Sequence, residues 1–303
     1  MQSTTSPKRT VIQRPEWLSE SVWPYKIYTA YLESTPIAYT DEGTGPTLLL
    51  VHDGMWSYIW GQVIETVREK FRVITLDFPG TGVSPGANRP VGLESDSYLL
   101  ESFVDYLGIN RLTLVLHDLG GPVGLGLAVR RSELIQGIVF TQTFSWPPLN
   151  RILRAMLRIV SSRLITTMNV GTNLIPKLTA TRAGIGRHLK EEARAAFLGP
   201  YHHKAPRRRF HEMMGSALVE SAYLANLKDA VQTTLSDQPV LTIYGENNDP
   251  FGFQATFKEL FPHAEEMVIP DGNHFPMSDD PDGFTGRVEE WYRNKVPATL
   301  HIP

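Results

Sequence analysis

The chain has 303 residues, 42% of them hydrophobic and 20% charged, enough for one large α/β domain or for a core domain with an insertion. A formal net charge of −3 excludes the global basic field that would hold nucleic acid or an anionic membrane. The absence of cysteine excludes disulfides, thiolate catalysis and cysteine-ligated metals.

Residues 1–24 are polar, with Lys8, Arg9, Arg14 and Pro15 among them, and contain no apolar signal core. No apolar run is long enough to span a bilayer. A cytoplasmic protein is the expectation. Alternation over 26–31 and 36–40 predicts an antiparallel hairpin at a sheet edge, followed by a turn over 41–46. Residues 47–51, 71–76, 112–116 and 137–140 are continuous apolar runs, as expected of strands buried on both faces. After a long interruption come two more strands, 239–244 and 266–269. Helical spacing lies between the strands, over 96–107, 122–131, 254–261 and 283–294. Strands alternating with helices predict an α/β fold with a mostly parallel central sheet and helices on both faces.

The interruption, residues 145–235, is rich in Arg and Leu, keeps helical spacing throughout and begins with Pro147 and Pro148. It reads as a helical cap inserted between two strands of a core formed by 25–144 and 236–297. Its basic run, Lys204 with Arg207, Arg208 and Arg209, reads as a solvated face, because it is short and the total charge is negative.

The chemistry concentrates where strands end. The run 112–116 leads into His117-Asp118-Leu119-Gly120-Gly121 and then into a glycine-rich helical segment. This is the context of a nucleophile elbow with aspartate at its apex. Asp118 also has a plain structural reading, as a cap for the helix that follows. A carboxylate is ionised at neutral pH, its free value being about 3.9. It attacks without first losing a proton, which suits displacement at an sp³ carbon and leaves an ester for water to cleave. His52-Asp53-Gly54-Met55-Trp56 ends the strand at 47–51, where a backbone turn can aim N–H donors at an oxyanion. Gly245-Glu246-Asn247-Asn248-Asp249 follows a late strand and offers an acid, Asp249. Asp271-Gly272-Asn273-His274-Phe275 follows the last strand and offers a base, His274.

The order nucleophile, acid, histidine is that of α/β-hydrolases. Gly120 two residues after Asp118, Leu116 two before and His117 just before resemble the aspartate-nucleophile branch of that superfamily. Haloalkane dehalogenases and epoxide hydrolases belong to it. The resemblance runs from about Tyr28 to Tyr292 and includes the turn at 77–84, Thr143-Phe144-Ser145-Trp146-Pro147 and Gly272-Asn273-His274-Phe275. The runs at 56–60 and 143–147 look more like dehalogenases than epoxide hydrolases. Two departures stand out. Leu119 replaces the tryptophan that binds the departing halide in that family, and the loop at 52–55 lacks the usual asparagine donor. Trp56 and Trp146 are the candidate substitutes.

The resemblance implies ester formation by Asp118 and hydrolysis by His274 oriented by Asp249. Backbone donors of Leu119 and of Asp53, Gly54 and Met55 would hold the oxyanion or leaving group, together with Trp56. Trp146, Tyr201 and Phe275 are expected to contact a small apolar substrate, with water as the second reactant and no metal or cofactor. The alternative is an epoxide hydrolase, with Tyr201 and Tyr223 as proton donors; packing at the cap interface is their plainer reading. A further alternative is a ligand-binding protein that kept the fold and lost turnover. Gly80-Thr81-Gly82 and the 120–126 glycines lack nucleotide-binding spacing. Gly124 and Gly126 read as packing positions for a helix on the sheet. His202-His203 reads as exposed, and Asp279 and Asp280 as turn or cap residues.

Overall fold

The apolar runs become neighbouring strands of one sheet in the computed structural model, which describes residues 9–32 and 34–296. Residue 297, the expected end of the core, lies outside the described residues. The strands are β1 (Thr10–Val11), β2 (Tyr28–Leu32), β3 (Thr35–Glu42), β4 (Thr47–Asp53), β5 (Arg72–Asp77), β6 (Leu112–Asp118), β7 (Ile135–Thr141), β8 (Val240–Gly245) and β9 (Glu265–Ile269). Their spatial order is β1-β2-β3-β5-β4-β6-β7-β8-β9. Pairing is antiparallel from β1 through β3 to β5 and parallel from there to β9.

The helices are α1 (Gly61–Val67), α2 (Leu93–Tyr106), α3 (Gly120–Arg130), α4 (Arg151–Val160), α5 (Arg163–Thr172), α6 (Leu174–Thr179), α7 (Glu191–Leu198), α8 (Lys204–Val219), α9 (Ser221–Thr234), α10 (Phe253–Leu260), α11 (Pro276–Asp279) and α12 (Pro281–Lys295). Successive strand residues point to opposite faces. Leu114, Leu116, Ile138 and Phe140 therefore join α2, α3 and α10 in one core, while Val115 and Val139 join α1 and α12 in the other. That two-sided burial is why the central strands read as unbroken apolar runs.

Six helices, α4 to α9, fill the chain between β7 and β8. Asn150 caps α4 by accepting from the Ile152 and Leu153 N–H groups. One of these helices is latched to the core by charge. Arg209 on α8 is 4% exposed and donates to Asp96 of α2 at 2.5 Å, and Arg89 donates to the other oxygen of the same carboxylate. The basic run is therefore not simply a solvated face. Arg207 likewise turns inward, donating to the carbonyls of Tyr201 at 2.6 Å and Val170 at 2.8 Å.

The expected helix at 96–107 begins earlier, at Leu93. The Glu220 carboxylate, from the junction of α8 and α9, accepts from the Leu93 and Glu94 N–H groups at 3.2 and 2.8 Å. A cap supplied from 126 residues away leaves no local trace. Among the described residues no helix is long and apolar enough to cross a membrane.

Candidate active site

β6 lies between β4 and β7 with parallel pairing on both sides, so three strand ends meet at Asp118. The Asp118 backbone takes φ of 50°, the left-handed region that non-glycine residues avoid. Two contacts hold it there. Gly120 starts α3 hard against β4, where a Cβ would lie 2.5 Å from the Val51 carbonyl oxygen and 2.8 Å from His52 Cα. Only glycine permits that approach. Thr143 Oγ1 donates to the Asp118 carbonyl at 2.5 Å, and Thr143 is itself fixed by the buried Tyr244 hydroxyl.

The loop after β9 delivers His274. It lies against the loop after β8 because Gly245 has no side chain: a Cβ there would sit 2.3 Å from the Asn273 carbonyl oxygen. Asp279 accepts from the Asn273 N–H at 2.6 Å, a turn-closing role, and Asp280 caps α12 through the Gly283 N–H. His117 Nε2 donates to the His274 carbonyl at 2.8 Å, and its ring stacks on Phe275. Burial, with the neighbouring His274 second, lowers the His117 pKa to about 3, so it supports the loop as a neutral ring. The outcome is that His274 Nε2 stands 3.9 Å from Asp118 Oδ2.

The other ring nitrogen has an unexpected partner. Asn248 Nδ2, not Asp249, lies 3.1 Å from His274 Nδ1. The expected acid is engaged elsewhere: Asp249 accepts from the Phe253 N–H at 2.7 Å and the Gln254 N–H at 3.0 Å. It satisfies the free donors at the start of α10, the ordinary role of a carboxylate at a helix N-terminus. Glu246 is no substitute, since it accepts from the Asp271 N–H. Asn248 Nδ2 also donates to Gln142 Oε1 at 3.0 Å, and Gln142 Nε2 donates to the Asn273 carbonyl at 3.2 Å.

Asp118 and His274 form the floor of a cavity of about 370 Å³, with Met55 and Phe275 beside them. The inserted helices supply its roof: Ile175, Leu178 and Thr179 from α6, Phe210 and Met214 from α8, with Ala183 and Gly184 between. Gly54, at φ of 96°, stands over the Asp118 carboxylate: a Cβ on it would be 3.7 Å from Asp118 Oδ2. Asp53 pairs in register with Asp118 through its backbone, and its side chain lies outside what the structure describes. Leu119 is 1% exposed and packs into the core beside α3.

Four expected contacts are not made. Trp56 spends its indole N–H on the Phe197 carbonyl at 3.0 Å. Trp146 packs edge-on against Phe253 and Phe257, away from the cavity lining. Tyr201 is buried behind Met55, to whose sulfur its hydroxyl donates at 3.1 Å, and burial raises its pKa. Tyr223 donates to the Pro122 carbonyl at 2.8 Å. Trp56, Tyr201 and Tyr223 turn into the protein, where each buried N–H or O–H has found a partner.

A family model for the alpha/beta hydrolase family matches residues 48–287. The chain belongs to the alpha/beta hydrolase family. Haloalkane dehalogenase 2 of Mycobacterium tuberculosis (strain ATCC 25618 / H37Rv) is 29% identical over 262 residues, covering 84% of this chain and 90% of that protein. The crystal structure of haloalkane dehalogenase DbeA from Bradyrhizobium elkani USDA94 shares the fold, with a TM-score of 0.77 and 21% identity over 88% of this chain and 97% of the other. Epoxide hydrolase CorEH superposes with a TM-score of 0.75 and 18% identity, over 88% and 98% of the two chains.

Within this hydrolase the two amides beside His274, Asn248 and Gln142, were not among the expected site residues, Asn248 having been set aside in favour of Asp249. Gln142 had one visible signal. It follows β7, the strand beside the one that carries Asp118, at the sheet edge where ligands bind, and its φ of 45° marks a strained position. Asn248 had a signal in its spacing: the acid in this loop commonly stands three residues after the glycine, and three after Gly245 is Asn248, one before Asp249.

Proposed function

We propose that this alpha/beta hydrolase works through a covalent aspartyl ester on small apolar alkyl electrophiles, and that hydrolytic dehalogenation of haloalkanes is its reaction. The observation that carries the reading is the Asp118 carboxylate on a strained elbow, 3.9 Å from His274 Nε2, at the floor of an apolar cavity. In the first step an Asp118 oxygen bonds to the substrate carbon while the carbon–halogen electron pair leaves as halide. In the second, water adds to the Asp118 carboxyl carbon, its proton passes to His274 Nε2, and the ester C–O bond breaks to release the alcohol. N–H groups of Leu119 and of the 53–55 turn serve the oxyanion. The helices of 145–235 act as the cap that keeps bulk water out, over a core of 25–144 and 236–297.

The 29% identity to a haloalkane dehalogenase supports this substrate class. With the Leu119 side chain lacking a donor and Trp56 committed to Phe197, the better leaving groups, iodide and bromide, should react best. Epoxide opening is disfavoured because the hydroxyls of Tyr201 and Tyr223 are held by Met55 and Pro122.

His274→Phe mixed with 1-bromohexane tests the reading by intact-protein mass spectrometry. One added hexyl group, mapped to Asp118, is the expected result. An unmodified variant, with wild type that binds bromoalkanes but neither reacts nor releases bromide, would make this a ligand-binding protein on a hydrolase fold.

A further inference from the structure

The direction of the hydrogen bonds around His274 can be worked out from one fixed acceptor. The Asn273 carbonyl oxygen only accepts, so the side-chain atom of Gln142 facing it at 3.2 Å must be the amide nitrogen. Gln142 then presents Oε1 to Asn248. An oxygen at 3.0 Å must receive a donor, so the facing atom of Asn248 is its amide nitrogen. That nitrogen carries two hydrogens. One goes to Gln142, and the other lies toward His274 Nδ1 at 3.1 Å. The reverse orientation of both amides would set the Gln142 oxygen against the Asn273 carbonyl oxygen. His274 Nδ1 is thus an acceptor.

We infer that Gln142 and Asn248 are positioning residues that hold His274 in the tautomer with its proton on Nε2, opposite to the one a carboxylate partner would select. A carboxylate accepts a hydrogen bond from Nδ1–H, which keeps the proton on Nδ1 and leaves Nε2 as a lone pair for water. Here Nε2 carries the hydrogen toward Asp118 instead.

The consequence rests on the ester mechanism proposed above. Alkylation of Asp118 needs no base and proceeds. Cleavage of the ester needs a lone pair on Nε2, hence a proton on Nδ1, which then meets the Asn248 amide hydrogen head-on. Each hydrolytic event therefore requires both amides to turn over. In a serine-protease triad, exchanging the acid for its amide lowers turnover by about 10⁴ through the same tautomer error. The alkyl-enzyme is accordingly the species that accumulates in wild type.

Nitrogen-15 NMR of ligand-free wild type, with histidines labelled and the His274 signals identified by their loss in His274→Gln, reads the tautomer directly. The expected spectrum has a protonated Nε2 and a lone-pair Nδ1 at neutral pH. Asn248→Asp should move the proton to Nδ1 and speed decay of the preformed alkyl-enzyme at least 100-fold, whereas Asn248→Ala should not give that acceleration. A wild-type His274 with its proton on Nδ1 overturns the inference and leaves the ester chemistry standing. The expected tautomer without any covalent adduct would instead sink the ester chemistry and leave the amide relay intact.

Discussion

Trp56 directs its indole N–H at the Phe197 carbonyl, 3.0 Å away inside the wall, so it offers nothing to a departing anion. The Leu119 side chain, next to Asp118, has no donor either. Removing one donor to a developing anion in a dry site costs about 10²–10³ in rate. Leu119→Trp should recover part of that, raising the single-turnover rate of adduct formation with 1-bromohexane about tenfold or more. The position is 1% exposed, so the larger ring should also cost ~1–3 kcal/mol of stability. A folded variant that alkylates no faster than wild type would show that halide departure is not the barrier to the first step.

Asp118→Asn should abolish adduct formation and lower turnover by several orders of magnitude, the usual loss for a nucleophile. Asparagine tolerates the left-handed backbone that position 118 requires. Thermal unfolding should then stay within ~0.5 kcal/mol of wild type. Adducts that persist, mapped to another residue, would remove Asp118 from its role.

The parallel sheet was legible because its strands are buried on both faces and leave long apolar runs, as at β4 and β6. The elbow was legible because Gly120 and Gly121 are fixed by close approach, a constraint that shows in the chain. The partner of His274 was not. Asp249 and Asn248 are adjacent, and which of them faces the ring depends on α10 starting at Phe253 and claiming the carboxylate for its own N–H groups. The donors Trp56, Tyr201 and Tyr223 were misplaced for a related reason. Each found a carbonyl or sulfur far away in sequence, which no local pattern encodes. The Arg209 ion pair with Asp96 was hidden the same way, 113 residues apart.

That ion pair joins the inserted helices to the core. Asp96 is fully buried, so an unpaired carboxylate there would be expensive. Arg209→Ala should destabilise the protein by about 3 kcal/mol, the lower end of the range for breaking a buried pair, because Arg89 still donates to Asp96. Replacing Arg209 and Asp96 together with Met and Leu should cost less than the single change. Urea denaturation of the three proteins checks both statements, and equal stability of wild type and Arg209→Ala would show that the latch carries no free energy.

His117 should make stability sensitive to mild acid. Burial lowers its pKa to about 3 in the folded protein, against about 6.5 for a free histidine. Above pH 6.5 the ring is neutral in both states and contributes nothing to the pH dependence. Between about 6.5 and 3 the unfolded chain binds a proton there and the folded protein does not. The unfolded state is therefore favoured progressively as the pH falls, with a limiting slope of ~1.4 kcal/mol per pH unit for one proton. His117→Asn keeps an N–H for the His274 carbonyl but cannot titrate. It should be somewhat less stable than wild type at pH 7.5, because the stack on Phe275 is lost, and should lose less stability between pH 7.5 and 5. Unfolding free energies at both pH values give the comparison. Parallel losses in the two proteins would mean that the His117 ring takes up its proton while the protein is still folded.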